Sequence, residues 1–570
     1  MNYISIPRTL LIFASVLILV SCKQSQENEK IDSSSDKPNI LLIVADDLGY
    51  SDISPYGGNI HTPVLEQLSK EGISFKRFYV QPTCSPTRSS LLTGNDNHVA
   101  GLGIMSEANY PQLQALNLPG YSGELSKQVV TIPEVLNDFG YHTYMAGKWH
   151  LGEGPGKDPY DRGFEETFIL GSGGGSHFYD RKPLSPLQHM DYTRNGKLID
   201  LPKDFYSTTA YTDTLIKFIE KNREDQKPFF AYLSYTAVHD PLHAPKEYIE
   251  KYKGKFDTGW DALWLERLNN LKKLGIVPKD LNKFSKNPRI PEWKSLSPDL
   301  KKEFARDMEV YAAMLDYMDM SIGRVFDYLK QHNMYDNTVV IFISDNGANG
   351  ASARTYPGNE DEVYLRSFNN VLDNRGLQNS YIEMGSAWAQ ASASPFRYFK
   401  GFTSEGGIRV PLIIKMHGQM KNAGQWNNSF IHVTDFMPTI LEIAGANYPK
   451  HFKGNEIKPY IGKSFLPILN GDTSFVKQSE GYGWELFELK AYIKDYWKIL
   501  RLPKPMGSGE WELYDLENDP AETTDLSNKY PEIKKQIIDA WKEYARKNEL
   551  HDHQAHYDSF YQKSFVPKKD

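Results

Sequence analysis

The amino-acid sequence predicts an α/β protein. A large domain is built on a central, mostly parallel mixed sheet flanked by helices, and a small C-terminal domain carries an antiparallel sheet and a helix. Three observations support this reading. Asn39 to Ala45 (NILLIVA) and Thr338 to Ser344 (TVVIFIS) are unbroken apolar runs rich in β-branched residues, the pattern of strands covered on both faces. Between them, strand-like and amphipathic stretches alternate, which places helices on both sides of a sheet. From Glu480 onward the chain turns to short strand-like pieces separated by Pro and Gly, and a helical stretch follows.

In chain order, Met1 to Arg8 carry one positive charge, and the apolar run Leu10 to Val20 is too short for a stop-transfer helix. Residues 1–21 therefore read as an export signal. It closes on Leu19-Val20-Ser21-Cys22, which resembles the bacterial lipobox. That resemblance implies a lipid on Cys22 and an exported lipoprotein of the outer membrane, at its periplasmic or cell-surface face. Residues 22–37 are polar, serine-rich and free of aromatics, the composition of a flexible tether. A large domain is expected over 38–445, with helices at Thr62 to Gly72, Thr131 to Gly140, Trp260 to Gly275 and Pro298 to Gln331, and strands at Thr143 to Ala146 and Phe229 to Tyr235. The remainder, 446–570, is expected to form an α+β subdomain. Its strands are Ala491 to Lys494, Trp497 to Arg501 and Trp511 to Asp515, and its helix is Pro531 to Lys547.

Composition excludes several classes. The 570 residues are 40% apolar with a mean hydropathy of −0.54, too apolar for a disordered chain and too polar for a multi-span membrane protein. Two cysteines rule out a disulfide scaffold. A formal charge of −7 argues against a nucleic-acid binder.

The two buried-strand runs end in Asp46-Asp47 and in Asp345-Asn346-Gly347. Ligands of open α/β sheets sit outside the carboxyl ends of the strands, where three carboxylates and an amide would then converge. Such a set repels itself unless a cation lies among its members, and oxygen donors favour hard ions such as Ca²⁺ or Mg²⁺. A second signal is Cys84-Ser85-Pro86-Thr87-Arg88. Pro86 suits the first turn of a helix, placing Cys84 at a helix N-terminus with Arg88 on the same turn, a setting that favours an anion or an oxidisable group. A thiolate nucleophile of the cysteine-protease kind is one use of such a residue, but no His-Asn setting accompanies it. Lys148 and His150 lie two apart and would face the same side if that segment is extended.

Cys84-Ser85-Pro86-Thr87-Arg88 with Leu92-Thr93-Gly94 resembles the C-x-P-x-R signature of the type I, formylglycine-dependent sulfatases. Asp46-Asp47-Leu48-Gly49, Gly147-Lys148-Trp149-His150, Ser344-Asp345-Asn346-Gly347 and Gly406-Gly407-Ile408-Arg409-Val410-Pro411 also resemble blocks of that family, the bacterial arylsulfatases above all. The resemblance implies an alkaline-phosphatase-like fold and makes 38–445 the catalytic domain. It implies hydrolysis of sulfate esters, aryl or carbohydrate, to an alcohol or phenol and inorganic sulfate. Cys84 would be oxidised by a formylglycine-generating maturation enzyme to an aldehyde whose hydrate is the nucleophile. Asp46, Asp47, Asp345, Asn346 and the modified Cys84 would hold Ca²⁺. Arg88 and Lys148 would add positive charge, with Lys148 on the sulfate oxygens. His150 would act as base at the hydrate, and His239 and Lys400 would serve the leaving oxygen. His98, in Asp96-Asn97-His98, is a further candidate pocket residue without a derived role. The same fold class hosts phosphonate monoester and phosphodiester hydrolases, the alternative reading. A lipid-anchored glycan-binding protein without turnover is another.

Overall fold

The computed structural model describes residues 37–105, 117–281, 287, 289–472 and 479–551. The export signal, Cys22 and the tether up to residue 36 lie outside the described residues. Sixteen strands occur among the described residues: β1 Asn39–Ala45, β2 Ile73–Tyr79, β3 His142–Lys148, β4 Glu166–Leu170, β5 Tyr192–Arg194, β6 Lys197–Leu198, β7 Phe229–Ser234, β8 Thr338–Ser344, β9 Leu412–Lys415, β10 Trp426–His432, the hairpin β11 His451–Phe452 and β12 Asn455–Glu456, then β13 Tyr482–Leu486, β14 Leu489–Lys494, β15 Trp497–Arg501 and β16 Glu512–Asp515. The longer helices are α1 Pro63–Glu71, α2 Cys84–Thr93, α3 Ile132–Asp138, α4 Ser207–Lys221, α5 Gly259–Lys273, α6 Pro298–Gln331, α7 Phe436–Ala444 and α8 Pro531–Lys547.

Ten strands form one sheet in the order β10-β2-β9-β8-β1-β7-β3-β4-β5-β6. β8, β1, β7, β3 and β4 run parallel to one another at its centre, and the antiparallel pairs involve β9, β5 and β6. β1 is buried along its whole length. Leu41, Ile43 and Ala45 face one core, with α1, α4 and α6, while Ile40, Leu42 and Val44 face another, with α2, α3 and α7. Both faces of the strand are therefore dry, which is why the sequence shows an unbroken run in place of alternation. At about 1.5–3 kcal/mol for each fully buried aliphatic side chain, β1 is among the chain's most heavily committed segments.

The C-terminal sheet β13–β16 is antiparallel throughout, and α8 packs on β13, β14 and β15. It docks on the large sheet through Trp484, whose Nε1–H donates to the Val80 carbonyl at 2.9 Å, and through Lys498, buried between Glu405 and Glu522. The stretch 446–472 packs instead on the α7 side of the large sheet, where Phe465, Ile468 and Leu469 join its core. Among the described residues no helix is long and apolar enough to cross a membrane.

Candidate active site

Ala45 of β1 lies opposite Ser344 of β8, so the two acidic pairs leave the sheet side by side. The Asp47 N–H donates to Asp345 Oδ1 at 3.2 Å, and the Asn346 amide donates to Asp47 Oδ1 at 2.6 Å. Asn346 Oδ1 is buried, and no donor among the described residues reaches it. All four side chains are buried. A buried oxygen acceptor left without a partner costs stability, and beside three carboxylates it is the donor a hard cation would take up. The residues present therefore fit a Ca²⁺-type ion.

α2 points its N-terminus at this cluster. Thr83 precedes it in extended conformation, and Cys84 opens the helix. Cys84 Sγ lies 3.5 Å from Asp46 Oδ1 and 3.8 Å from Asp47 Oδ1. Burial pushes the Cys84 thiol far above the ordinary cysteine range; Lys148 and Lys400 do not offset it. Arg88, one turn on, donates to Asp345 Oδ2 at 3.0 Å from Nε and 2.7 Å from Nη2, and also meets the Ser234 hydroxyl and the Lys148 carbonyl. Ser234 closes β7 and donates in turn to the Lys148 carbonyl at 2.8 Å.

Lys148 and Lys400 each sit on one member of the first pair. Lys148 Nζ is 2.7 Å from Asp46 Oδ2, and Lys400 Nζ is 2.8 Å from Asp47 Oδ1. Burial works against the ionised form of Asp46, yet Lys148, then His239 and Arg88, outweigh it and hold the carboxyl at about 2. Asp47 is likewise lowered, by Lys400 and then His239 against burial. Burial alone would lower both ammonium groups; Asp46 holds Lys148 above the ordinary lysine value, and Asp47 does so for Lys400. His239 Nε2 lies 3.4 Å from Asp47 Oδ2, and its Nδ1 lies 2.5 Å from the Asp240 carbonyl. Asp46, Asp47, Cys84 and His239 each place a donor atom within 4.8 Å of one another, so a histidine joins the group read from sequence as oxygen donors.

Two glycines make this approach possible. A Cβ on Gly147 would lie 1.7 Å from the Ser234 carbonyl, so β3 can run against β7 just before Lys148 only without a side chain there. A Cβ on Gly347 would lie 2.0 Å from the Gly406 carbonyl. Through that close contact, and through Lys400 N–H to the Ala348 carbonyl at 3.1 Å, the loop bearing Lys400 is set against the end of β8.

Cys84, His150, His239 and Lys400 line one pocket, and Asp46, Asp47, Asp345, Asn346, Arg88 and Lys148 are packed beneath it. The condition under which Lys148 and His150 would face the same side, an extended segment, is not met. β3 ends at Lys148, Trp149 and His150 donate their N–H groups to the Leu170 and Gly171 carbonyls, and His150 has φ +59°. The chain turns at His150 and carries its ring into the pocket, while Lys148 remains below on Asp46. The reading of His98 as a pocket residue is corrected: it is absent from the lining and buried between Asp96 and Glu485. Sequence reasoning missed Leu486 and Phe487 of the C-terminal sheet, and Tyr356 and Asn349, which are among the other residues of the lining. Phe487-Glu488 offered no turn signal, since neither residue is of the Asn or Gly kind that marks a two-residue hairpin.

Comparison with known proteins places this geometry. The family model described as Sulfatase matches residues 38–446, and the one described as N-sulphoglucosamine sulphohydrolase, C-terminal, matches 396–549. An uncharacterized sulfatase of Schizosaccharomyces pombe is 43% identical over 523 residues, 90% of this chain and 94% of that protein. An arylsulfatase of Klebsiella aerogenes is 39% identical over 442 residues, 76% of this chain and 93% of that protein. A solved structure described as a complex with its substrate D-glucosamine-2-N,6-O-disulfate is similar in fold, with a TM-score of 0.58 at 22% identity over 91% of this chain and 100% of that one.

Proposed function

Because the chain belongs to the sulfatase family and is a sulfuric ester hydrolase, we propose that it releases inorganic sulfate from aryl sulfates and sulfated carbohydrates, using a Cys84-derived formylglycine and Ca²⁺. The observation that carries this is the placing of Cys84 at the pocket floor, against Asp46 and Asp47 and beside Lys400, His150 and His239. Cys84 Sγ stands in for the oxygen of the modified residue. Asp46, Asp47, Asp345 and Asn346 would hold the ion; with the modification in place the pair of groups supplies a hydroxyl nucleophile and a Lewis acid for the sulfate oxygens.

The chain's own residues do the rest. Lys400 keeps its proton through Asp47 and would donate to the bridging ester oxygen as the S–O bond lengthens. His239 Nδ1 is committed to the Asp240 carbonyl and Nε2 lies beside Asp47; as the imidazolium it would hydrogen-bond the same oxygen from Nε2, so that a single proton passes to the leaving group from one of the two and the other stabilises its charge. His150 would take the proton from the hydroxyl at residue 84. Arg88 fixes Asp345 from two nitrogens and so holds the cation cradle in shape.

Maturation by a formylglycine-generating enzyme and export as a lipoprotein on Cys22 complete the reading; a radiolabelled fatty acid should be incorporated into the wild type and not into Cys22→Ser. The central test is mass spectrometry of the peptide bearing Cys84 in active enzyme, together with turnover of 4-nitrophenyl sulfate by the Cys84→Ala variant. An aldehyde in place of the thiol and loss of turnover in the variant are expected. An intact thiol in active enzyme would defeat the mechanism.

A further inference from the structure

β13 and β14 are joined by a two-residue turn, with Leu486 paired to Leu489 and Phe487 and Glu488 between them at φ +51° and +69°. Left-handed backbone at both positions is the geometry of a type I′ hairpin, which Asn and Gly ordinarily fill. A phenylalanine and a glutamate hold it here, and a bulky residue at positive φ persists where its surroundings impose it. The turn reaches across from the C-terminal sheet so that Leu486 and Phe487 form part of the active-site wall.

What imposes the turn is visible. Glu485 Oε1 accepts the Glu488 N–H at 2.9 Å, and Glu485 Oε2 lies 3.3 Å from His98 Nε2. His98 Nδ1 lies 2.9 Å from Asp96 Oδ1, and Asp96 Oδ2 accepts the Tyr544 hydroxyl of α8 at 2.6 Å. His98, unassigned by the chemistry of sulfate transfer, is thus the link between the large domain and the turn.

Above the charged floor the wall is apolar, with Met105, Leu184, Tyr356, Leu486 and Phe487 among its residues. Among the described residues two of its polar members, Asn349 and Thr355, are engaged within the protein, and Gln188 is the amide left at the wall. Asn349 donates to Asp240 Oδ1 at 2.5 Å and accepts from the Ala351 N–H, and Thr355 Oγ1 donates to the Ser352 carbonyl at 2.7 Å. A sugar carrying several hydroxyls would be stripped of water here with few partners in return, whereas an aromatic ring would pack against Phe487. Building on the function proposed above, we propose that Phe487 is a specificity-determining residue that selects an aromatic leaving group, and that His98 and Glu485 are positioning residues that hold it there.

The test compares kcat/KM for 4-methylumbelliferyl sulfate and glucosamine 6-sulfate in the mature enzyme. The wild type should favour the aryl ester. In Phe487→Ala the aryl-to-sugar ratio should fall about tenfold, mainly through KM for the aryl ester. Phe487→Gly, which suits the positive φ, guards against a folding defect and should show the same fall. Glu485→Ala should reproduce it in milder form, and Glu485→Gln, which keeps an acceptor for the Glu488 N–H, should recover most of it. A ratio unchanged in active Phe487 variants, or a wild type faster on the sugar ester, would overturn the inference while leaving sulfate hydrolysis standing. A mature wild type inert to both esters would sink the proposed function and this inference with it.

Discussion

Lys148 and Lys400 carry the same charge and sit on adjacent carboxylates, yet only Lys400 reaches the pocket. Their substitutions should therefore differ in kind. Lys400→Ala should lower kcat/KM by about 10²-fold for esters of weakly acidic alcohols and much less for 4-nitrophenyl sulfate, whose leaving group needs little help; a leaving-group series measures this. Lys148→Ala removes the principal partner of a buried carboxylate, so its loss should be insensitive to leaving group. His98 permits a pH prediction. Burial works against its charge, but hydrogen bonds to Asp96 and Glu485 outweigh that and lift it from 6.5 to about 9. A cation favoured by folding stabilises fully below pH 6.5, and that contribution fades as pH rises through about 9. Denaturant unfolding should show the wild type losing up to about 3 kcal/mol over this window, with the slope flattened in His98→Asn.

At the scale of elements, strand pairing brings the carboxyl ends of β1 and β8 together, and if they hold the cation of the proposed function its removal should be felt there first. Chelation should abolish turnover and lower the melting temperature, and Ca²⁺ should restore both. Binding at a hundred times Kd is worth about 3 kcal/mol. A chelated enzyme with full activity would remove Ca²⁺ from the proposed function. These two strands and their acidic ends were legible because burial on both faces leaves a local mark, a run without alternation. α2 was legible for a similar reason, since Pro86 and the residues around it read as a helix start. The turn at His150 was not: its φ follows from Trp149 and His150 bonding to β4 and the residue after it, partners about twenty positions away. The hairpin Phe487-Glu488 carries none of the Asn or Gly that marks such turns, and the partner of His98 on β13 lies 387 positions along the chain. Periodicity within a window reports neither.

For the whole molecule, the charges compose simply. Asp46, Asp47 and Asp345 beneath the pocket are met by Arg88, Lys148 and Lys400, so the protein's own groups come close to balancing within a chain of formal charge −7. A divalent ion would turn that floor positive and favour a sulfate ester over the field of the remaining surface. The C-terminal sheet contributes the wall above the floor, so both units shape one pocket. Inactivation on heating should accordingly follow global melting in a single transition, which parallel activity and circular-dichroism curves would check.

The opposition of Ala45 and Ser344 has one more consequence. A slip of the central pair by a single residue would exchange the side chains that β1 gives to its two cores, spoiling their fit, and part the two acidic tips at the same stroke. Packing and site are thus specified by the same register: a misaligned chain would forfeit the joined acidic tips as well as its core, and could not pass as a weak enzyme.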